Sequence, residues 1–552
     1  MKFHKYKASA ILLTICMIFS SCDDLTRLNE NPNAPENVSS NFLLTYVITN
    51  LGKKVYQEGK DGSKIGATMQ YMQSGTNEGA AIINQYAWTA EDWSIYYSIL
   101  RNNQLILNNG YSTNNRMLQA VGLIMKSYIF GLMSDLYGDI PYLDALKAES
   151  GVFIMDYDRQ DVVYKGVLTD LKTADQLLAA IEEKDAISAT ADVLYGGNKE
   201  KWKKFANALR LRYALRLHHK KAQMSAIGIN IEEEFKDAST KAFTTNADDA
   251  SFSWIGTSKD NAAPGGPLNA ANPNFLLKPG KPFVDKLTSL NDPRLERWTQ
   301  PVLRKWDAHI KTEITKTITN QFGESYAVIY TPAVAESADT SLYVGLPIGM
   351  VLTEMEKYNK GNDSNTYPNE RNPYISYIHE RYRKNTDPYV NINLMTYSEV
   401  AFILAEGAML GGYGVSDAEA HYKNAIRASM TKAGVFTSST FDFDAYYAQP
   451  AVNYSSATNA QERIMEQKWI SNWFGIQSWF DWRRTGYPTL KAGTVAQFGP
   501  ALPLRYQYPP SYFDSYKLAV DRLESTSFVP SGQSKDHPYS KIWLLEGTGK
   551  PW

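Results

Sequence analysis

The stretch from Met117 to Tyr142, MLQAVGLIMKSYIFGLMSDLYGDIPY, sets the terms for the rest of the chain. Most of it is apolar nearly all the way round, which describes a helix buried on most sides rather than an amphipathic surface helix. Small residues at Ala120, Gly122, Ser127, Gly131 and Ser134 let neighbouring helices approach closely. The run then stops. Gly138 suits the left-handed position just past a helix end, and Pro141 cannot continue the helix. Asp135 and Asp139 flank that stop. A helix of this kind must be surrounded by others, so the chain is expected to form a helical array around it.

With 552 residues there is ample chain for a sizeable core. Charge is balanced, 57 Lys and Arg against 58 Asp and Glu, with none of the basic excess that marks a nucleic-acid partner. Tyrosine is abundant, 36 against 21 Phe. Tyr and Trp join an apolar face to a polar tip, so they serve exposed contact surfaces as well as cores. The two cysteines, Cys16 and Cys22, both lie near the N-terminus, which excludes a disulfide framework or a Cys-based metal site from the body.

Lys2, Lys5 and Lys7 precede a 12-residue apolar run, Ala8–Phe19, too short to span a bilayer. Ser20 and Ser21 then lead to Cys22. The arrangement resembles a bacterial lipoprotein signal: residues 1–21 are removed and Cys22 becomes the lipid-modified first residue. An ordinary cleaved signal peptide with an incidental Cys is the alternative. Removal takes the formal charge from −1 to −4. No later segment has 18 uninterrupted apolar residues, so anchoring to a membrane is expected rather than spanning it.

Residues 22–40 are polar and rich in Asn, Pro and Glu, and read as a tether. Helical spacing marks Asn41–Gly59, and Ser63–Gln73 is expected to be a second, shorter helix. Ser74–Trp88 is a Gly- and Asn-rich loop, after which Thr89 is placed as a helix cap with Asp92 as its acidic partner. Asp158 is placed as the cap of Arg159–Ile181. Asn198–Leu217 carries the stripe Trp202, Phe205, Ala206, Leu209 and Tyr213; its Arg210, Arg212 and Arg216 are either a solvated face or partners for carboxylates. From about Thr240 to Pro388, Gly, Pro, Asn and Asp dominate. A structureless connection of that length is improbable in a compact domain, so a lobe of loops and short elements is expected, with strands at Val328–Thr331 and Leu342–Val344. Helices return at Thr396–Gly411, Ser416–Ala433 and Ala460–Trp479.

The chain contains no phosphate-binding loop, HExxH, GxSxG or EF-hand pattern. His218 and His219 are adjacent, point apart on a helix, and suit solvated surface better than a metal. Asn362–Asn365 is an oxygen-rich cluster that an ordinary turn explains; no metal and no cofactor are expected. Glu399 and Glu406 lie on one predicted helix face, and a glycosidase needs two carboxylates about 5–10 Å apart. Glu406 sits in AFILAEGAML, where pairing with an arginine such as Arg210, Arg212, Arg483 or Arg484 is the better account. Asp135, Asp139 and Asp481 are read the same way. The aromatics are the other lead, because a sugar ring packs its C–H face on Trp or Tyr while amides bond its hydroxyls. Candidates are Asn77, Asn84, Tyr86 and Trp88 in the loop before Thr89, and Trp254, Trp298, Trp306 and Tyr343 in the irregular lobe, with core packing as the competing explanation for each.

Six stretches together resemble the SusD/RagB family of outer-membrane nutrient-binding lipoproteins, and the SusD-like subgroup within it. They are DLYGDIPY (Asp135–Tyr142), MDYDRQDVVYKGVLTDLKTA (Met155–Ala174), KWKKFANALRLRYALR (Lys201–Arg216), NDPRL (Asn291–Leu295), MTYSEVAFILAEG (Met395–Gly407) and EQKWISNWFGIQSWFDWRRTGYPTL (Glu466–Leu490). The resemblance implies a mainly α fold, with tetratricopeptide-like helix pairs as scaffold and a loop-rich lobe containing short strands. On this chain the scaffold falls at roughly 41–240 and 389–490 and the ligand lobe at roughly 241–388, within one domain spanning 41–552. It further implies a non-enzymatic role in nutrient uptake and polysaccharide utilisation: a lipid-anchored lid that captures oligosaccharide, or in some members peptide, and passes it to a SusC-like TonB-dependent transporter. Asp23 and Asp24 then resemble a surface-export signal, placing the protein on the outer membrane facing outward. The matching stretches are scaffold, so the resemblance assigns no ligand residue. A carboxylate-dependent glycosidase and a pure transporter-binding scaffold remain the other readings.

Overall fold

A computed structural model describes residues 39–60, 64–74, 85–147, 150–269, 277–332, 338–365, 367 and 372–550. The signal segment, Cys22, nearly all of the tether, Asn77 and Asn84 lie outside them.

Helices dominate. In chain order they are α1 (Ser40–Lys60), α2 (Ile65–Thr68), α3 (Ser94–Ser112), α4 (Arg116–Tyr137), α5 (Gln160–Ala179), α6 (Lys199–Arg216), α7 (Lys221–Ala226), α8 (Ile231–Ser239), α9 (Lys281–Ser289) and α10 (Arg294–Trp298), followed by α11 (Leu352–Lys357), α12 (Tyr397–Leu410), α13 (Ala418–Lys432), α14 (Phe443–Tyr447), α15 (Ala460–Ser471), α16 (Gln477–Thr485) and α17 (Asp514–Asp521). Each long helix packs on its sequence neighbour, α3 on α4, α4 on α5, α5 on α6 and α12 on α13, which gives the tetratricopeptide-like array. Strands are few and short. Ala250–Ser253 pairs antiparallel with Asn391–Met395, and Met72–Ser74 with Leu277–Pro279. Arg304–Asp307, Ser325–Pro332 and Ile314–Thr319 form a three-stranded sheet.

α4 is the innermost helix. From Met117 to Tyr137 only Lys126 escapes burial. Asn115 caps it, its Oδ1 accepting from the Leu118 N–H at 2.9 Å. Among the described residues α4 alone is long and apolar enough to cross a membrane by length and composition, and it is enclosed by other helices. Its exit is built by the two acids that flank it. Asp135 accepts from the Tyr164 hydroxyl at 2.6 Å and pairs with Arg216. Asp139 pairs with Arg522, and its Oδ1 accepts from the first N–H of α5, that of Gln160, at 3.0 Å. Asp158 is therefore not the cap of α5; it instead accepts from the Tyr142 and Leu143 N–H groups at 3.0 and 2.7 Å, fixing the turn.

Four more expectations need correction. Thr89 caps nothing: α3 starts at Ser94, whose N–H is taken by Asp92 at 3.0 Å. Ser63–Gln73 is not one helix; α2 spans one turn and the chain then extends into Met72–Ser74. Leu342–Val344 is no strand, although its carbonyls at Leu342 and Val344 accept from Val302 and Ser376. Ala460–Trp479 is two helices, broken after Ser471 where Phe474 takes a positive φ of 59°. The strand expected at Val328–Thr331 lies within Ser325–Pro332.

The arginines of α6 are buried, not solvated. Arg210 meets Glu234 and Asp237, Arg212 meets Glu399 at 2.7 and 2.9 Å, and Arg216 meets Asp135 and Gln477. Glu406 takes two bonds from Arg484, and Asp481 lies 2.8 Å from Lys468. Buried charges persist only when paired and hydrogen-bonded in this way.

Candidate functional site

Most of the aromatic candidates sit inside the core. Tyr86 is fully buried, and its carbonyl accepts from the Tyr539 hydroxyl at 3.2 Å. Trp88 is 7% exposed and packs on Trp479 and Tyr506 at ring separations of 5.5 and 5.4 Å. The polar sequence around them suggested an open loop, but the chain there is pressed between α16 and the Arg505–Tyr508 segment. Trp254 is buried against Tyr56. Trp306 stacks on Tyr374 at 4.7 Å and donates its indole N–H to the Asn359 carbonyl at 2.7 Å. Tyr343 is half-buried. Tyr86, Trp88, Trp254 and Trp306 present no open ring to solvent as a free sugar platform.

Trp298 differs. It is also buried, yet it forms part of the wall of a cavity of about 100 Å³ at the junction of α1, α12, α13, the Asn391–Met395 strand and the α15–α16 break. Its aromatic wall includes Tyr56, Trp298, Tyr382, Trp473 and Phe474. The break explains their presence. Helix α15 stops at Ser471, Asn472 follows, and Trp473 and Phe474 turn inward, with Trp473 stacked on Trp298 at 5.7 Å and on Phe474 at 4.5 Å. Gly59 of α1 makes room: a Cβ there would lie 2.1 Å from the Phe474 carbonyl oxygen, so any other residue would push the break outward.

The opposite wall is polar. In the strand Asn391–Met395, Ile392 and Leu394 are buried while Asn391 and Asn393 face the other way, the alternation a strand imposes. Both asparagines line the cavity, with Asn472 and Lys432. Asn391 is held by the Ser253 hydroxyl, which donates to its Oδ1 at 2.8 Å, and Lys432 is held by Asp249 at 2.9 Å. Tyr56 contributes a buried hydroxyl with no hydrogen-bond partner among the described residues. Burial pushes its pKa up, with Tyr382 adding to the effect, so it remains an O–H donor at neutral pH. An orphaned donor beside aromatic faces and amides is the setting a hydroxyl-bearing ligand completes. The volume lies below the roughly 300 Å³ of a drug-sized pocket, which leaves room for no more than a small part of a ligand inside it.

One carboxylate, Glu399, lines the cavity, and Arg212 holds both of its oxygens. Among the described residues Glu399 has no second carboxylate facing it across the cavity, as the two-carboxylate chemistry of a glycosidase would need. Asp363, in the oxygen-rich Asn362–Asn365 turn, accepts at Oδ2 from the Tyr367 and Tyr374 hydroxyls at 2.8 Å each and at Oδ1 from the Asn365 amide. Among the described residues no group of three His, Cys, Asp or Glu side chains is placed to hold a metal. His218 lies 2.8 Å from the Tyr413 hydroxyl through Nδ1, and burial pushes it down to about 4.

Tyr56, Tyr382, Trp473, Asn391 and Asn393 were missed from the sequence. Two signals were present: the alternation in Val390-Asn391-Ile392-Asn393-Leu394, and the breakers Asn472 and Gly475 bracketing an aromatic pair inside a helical run.

Comparison with known proteins agrees with this architecture. A SusD homologue from Bacteroides fragilis superposes with a TM-score of 0.71 at 21% identity, covering 92% of this chain and 100% of its own. A SusD/RagB family protein from Bacteroides thetaiotaomicron gives 0.63 at 21% identity, covering 93% and 100%. A structure described as a chitin-binding protein gives 0.67 at 22% identity, covering 92% and 99%. No curated protein matches the chain. Residues 32–509 match the SusD-like family described as starch-binding and associating with the outer membrane, and the chain belongs to that SusD/RagB family.

Proposed function

We propose that this protein is a lipid-anchored, surface-facing outer-membrane lipoprotein that binds oligosaccharide without cleaving it and passes it to a partner TonB-dependent transporter. The observation that carries the binding role is the cavity beside Trp298 and Trp473, where an orphaned Tyr56 hydroxyl and the amides of Asn391 and Asn393 face an aromatic wall. Aromatic faces take the C–H surface of a sugar and the polar wall takes its hydroxyls. Family membership supports the transporter partner and the outer-membrane location; Cys22 after its apolar leader supports the lipid anchor. The engagement of Glu399 by Arg212 supports binding without hydrolysis.

Glycan arrays and peptide pools tested against the purified chain decide the ligand class. Saturable glycan binding weakened by Asn393→Ala, at unchanged melting temperature, is the expected result. Binding to peptides alone replaces oligosaccharide by peptide, and binding to neither, with transporter co-purification intact, leaves a pure scaffold.

A further inference from the structure

A second cavity, of about 200 Å³, opens where α4 ends, and it shares no wall residue with the first. Its construction is specific. Gly138 turns the chain with φ +105°, where a Cβ would lie 2.8 Å from Ile542, and Asp139 follows it at the wall. Asp139 is tied to Arg522, and Arg522 also donates to the Tyr157 carbonyl at 2.9 Å, so the C-terminal segment is clamped onto the α4–α5 turn. The floor is apolar, from Ala519, Leu523, Ile542 and the half-exposed Trp543. Lys220 lies 4.7 Å from the Trp543 ring centre.

The rim carries two guanidinium groups, Arg159 and Arg522, and two carboxylates, Asp139 and Glu546. Each is already matched: Arg159 by Asp161 at 2.8 Å, Arg522 by Asp139, and Glu546 by Lys220 at 3.7 Å. An anionic ligand would meet both carboxylates, and a cationic one both guanidiniums. A neutral ligand with an apolar face and hydroxyls that donate and accept meets no such conflict. We infer that this cavity is a second carbohydrate site, taking one ring of a neutral glycan against Trp543 with its hydroxyls bonded by Arg159, Arg522 and the two carboxylates. The inference rests on the glycan-binding reading above. A lid with two sites on separate elements holds one long chain at two points, which raises its effective affinity without improving either contact.

Calorimetric titration of the full chain with neutral trisaccharides of the malto, cello and chito series tests it. Two trisaccharides bound per chain are expected, with Trp543→Ala reducing this to one or weakening the second binding event by about threefold to tenfold. If Trp543→Ala lowers the melting temperature strongly, Arg159→Ala carries the test, since that side chain is mostly exposed. Unchanged stoichiometry and affinity in both variants overturns the second site while leaving the first. Loss of binding in Trp543→Ala but none in Asn393→Ala supports this site and removes the first. No saccharide bound by the unaltered chain overturns both.

Discussion

Glu406 and Arg484 meet side by side, with both carboxylate oxygens accepting guanidinium N–H bonds at 2.6 and 2.7 Å, and both side chains are buried. The pair ties α12 to α16 across the scaffold. Arg484→Met leaves Glu406 buried without its cation and should destabilise the protein by about 3–5 kcal/mol in chemical denaturation. Adding Glu406→Met to that variant should recover most of the loss, because two matched apolar side chains leave no buried charge.

Trp88 belongs to the same class of structural residue. Its ring packs on Trp479 and Tyr506, with Lys64 5.4 Å from its centre. Trp88→Ala should therefore lower stability by about 3–5 kcal/mol, read as a shifted urea midpoint, and should leave glycan affinity unchanged in the protein that remains folded.

These two residues show what the sequence could reveal. Glu406 was readable because its neighbours, Phe402 to Leu410, are apolar over two helical turns, and a carboxylate there needs an arginine; only which arginine was open. Trp88 was misread because its neighbours Asn84 and Gln85 are polar, and local polarity does not report what distant segments cover. Residues 505–508, which cover it, lie more than 400 positions away. The helices of the scaffold were legible from 3.6-residue periodicity, but their caps were not: neither Thr89 nor Asp158 caps the helix it precedes. The cavity beside Trp298 and Trp473 was not, because its walls come from α1, the strand after the irregular lobe and a helix break. No local pattern joins Tyr56, Asn393 and Trp473.

Gly138 tests the exit of α4. A Cβ at this position would lie 2.8 Å from Ile542, on a backbone with φ +105° that side chains rarely adopt. Gly138→Ala should cost more than about 1 kcal/mol, seen as a lower melting temperature.

His218 gives a pH signature. Burial lowers its pKa to about 4, with His219, Lys221 and Arg484 adding to the effect and Glu406 opposing it. The unfolded ring titrates near about 6.5, so between these values the unfolded state holds a proton that the folded state lacks. The contribution is complete above about 6.5 and declines as the pH falls toward about 4. The imidazole resonances of His218 should show a midpoint near 4, and His218→Gln should flatten the fall in stability across that window.

Capture without cleavage at the Trp298–Trp473 cavity is the step on which the proposed function turns. Its most direct test is a titration of the full chain with neutral oligosaccharides, followed by chromatography of the recovered sugar, on the protein as it stands and on Asn393→Ala. Saturable binding, an intact sugar after prolonged incubation, and affinity reduced about threefold to tenfold in Asn393→Ala, the loss that removal of one hydrogen bond brings, are the expected results. Shortened sugar products, or binding that Asn393→Ala leaves untouched, would contradict it.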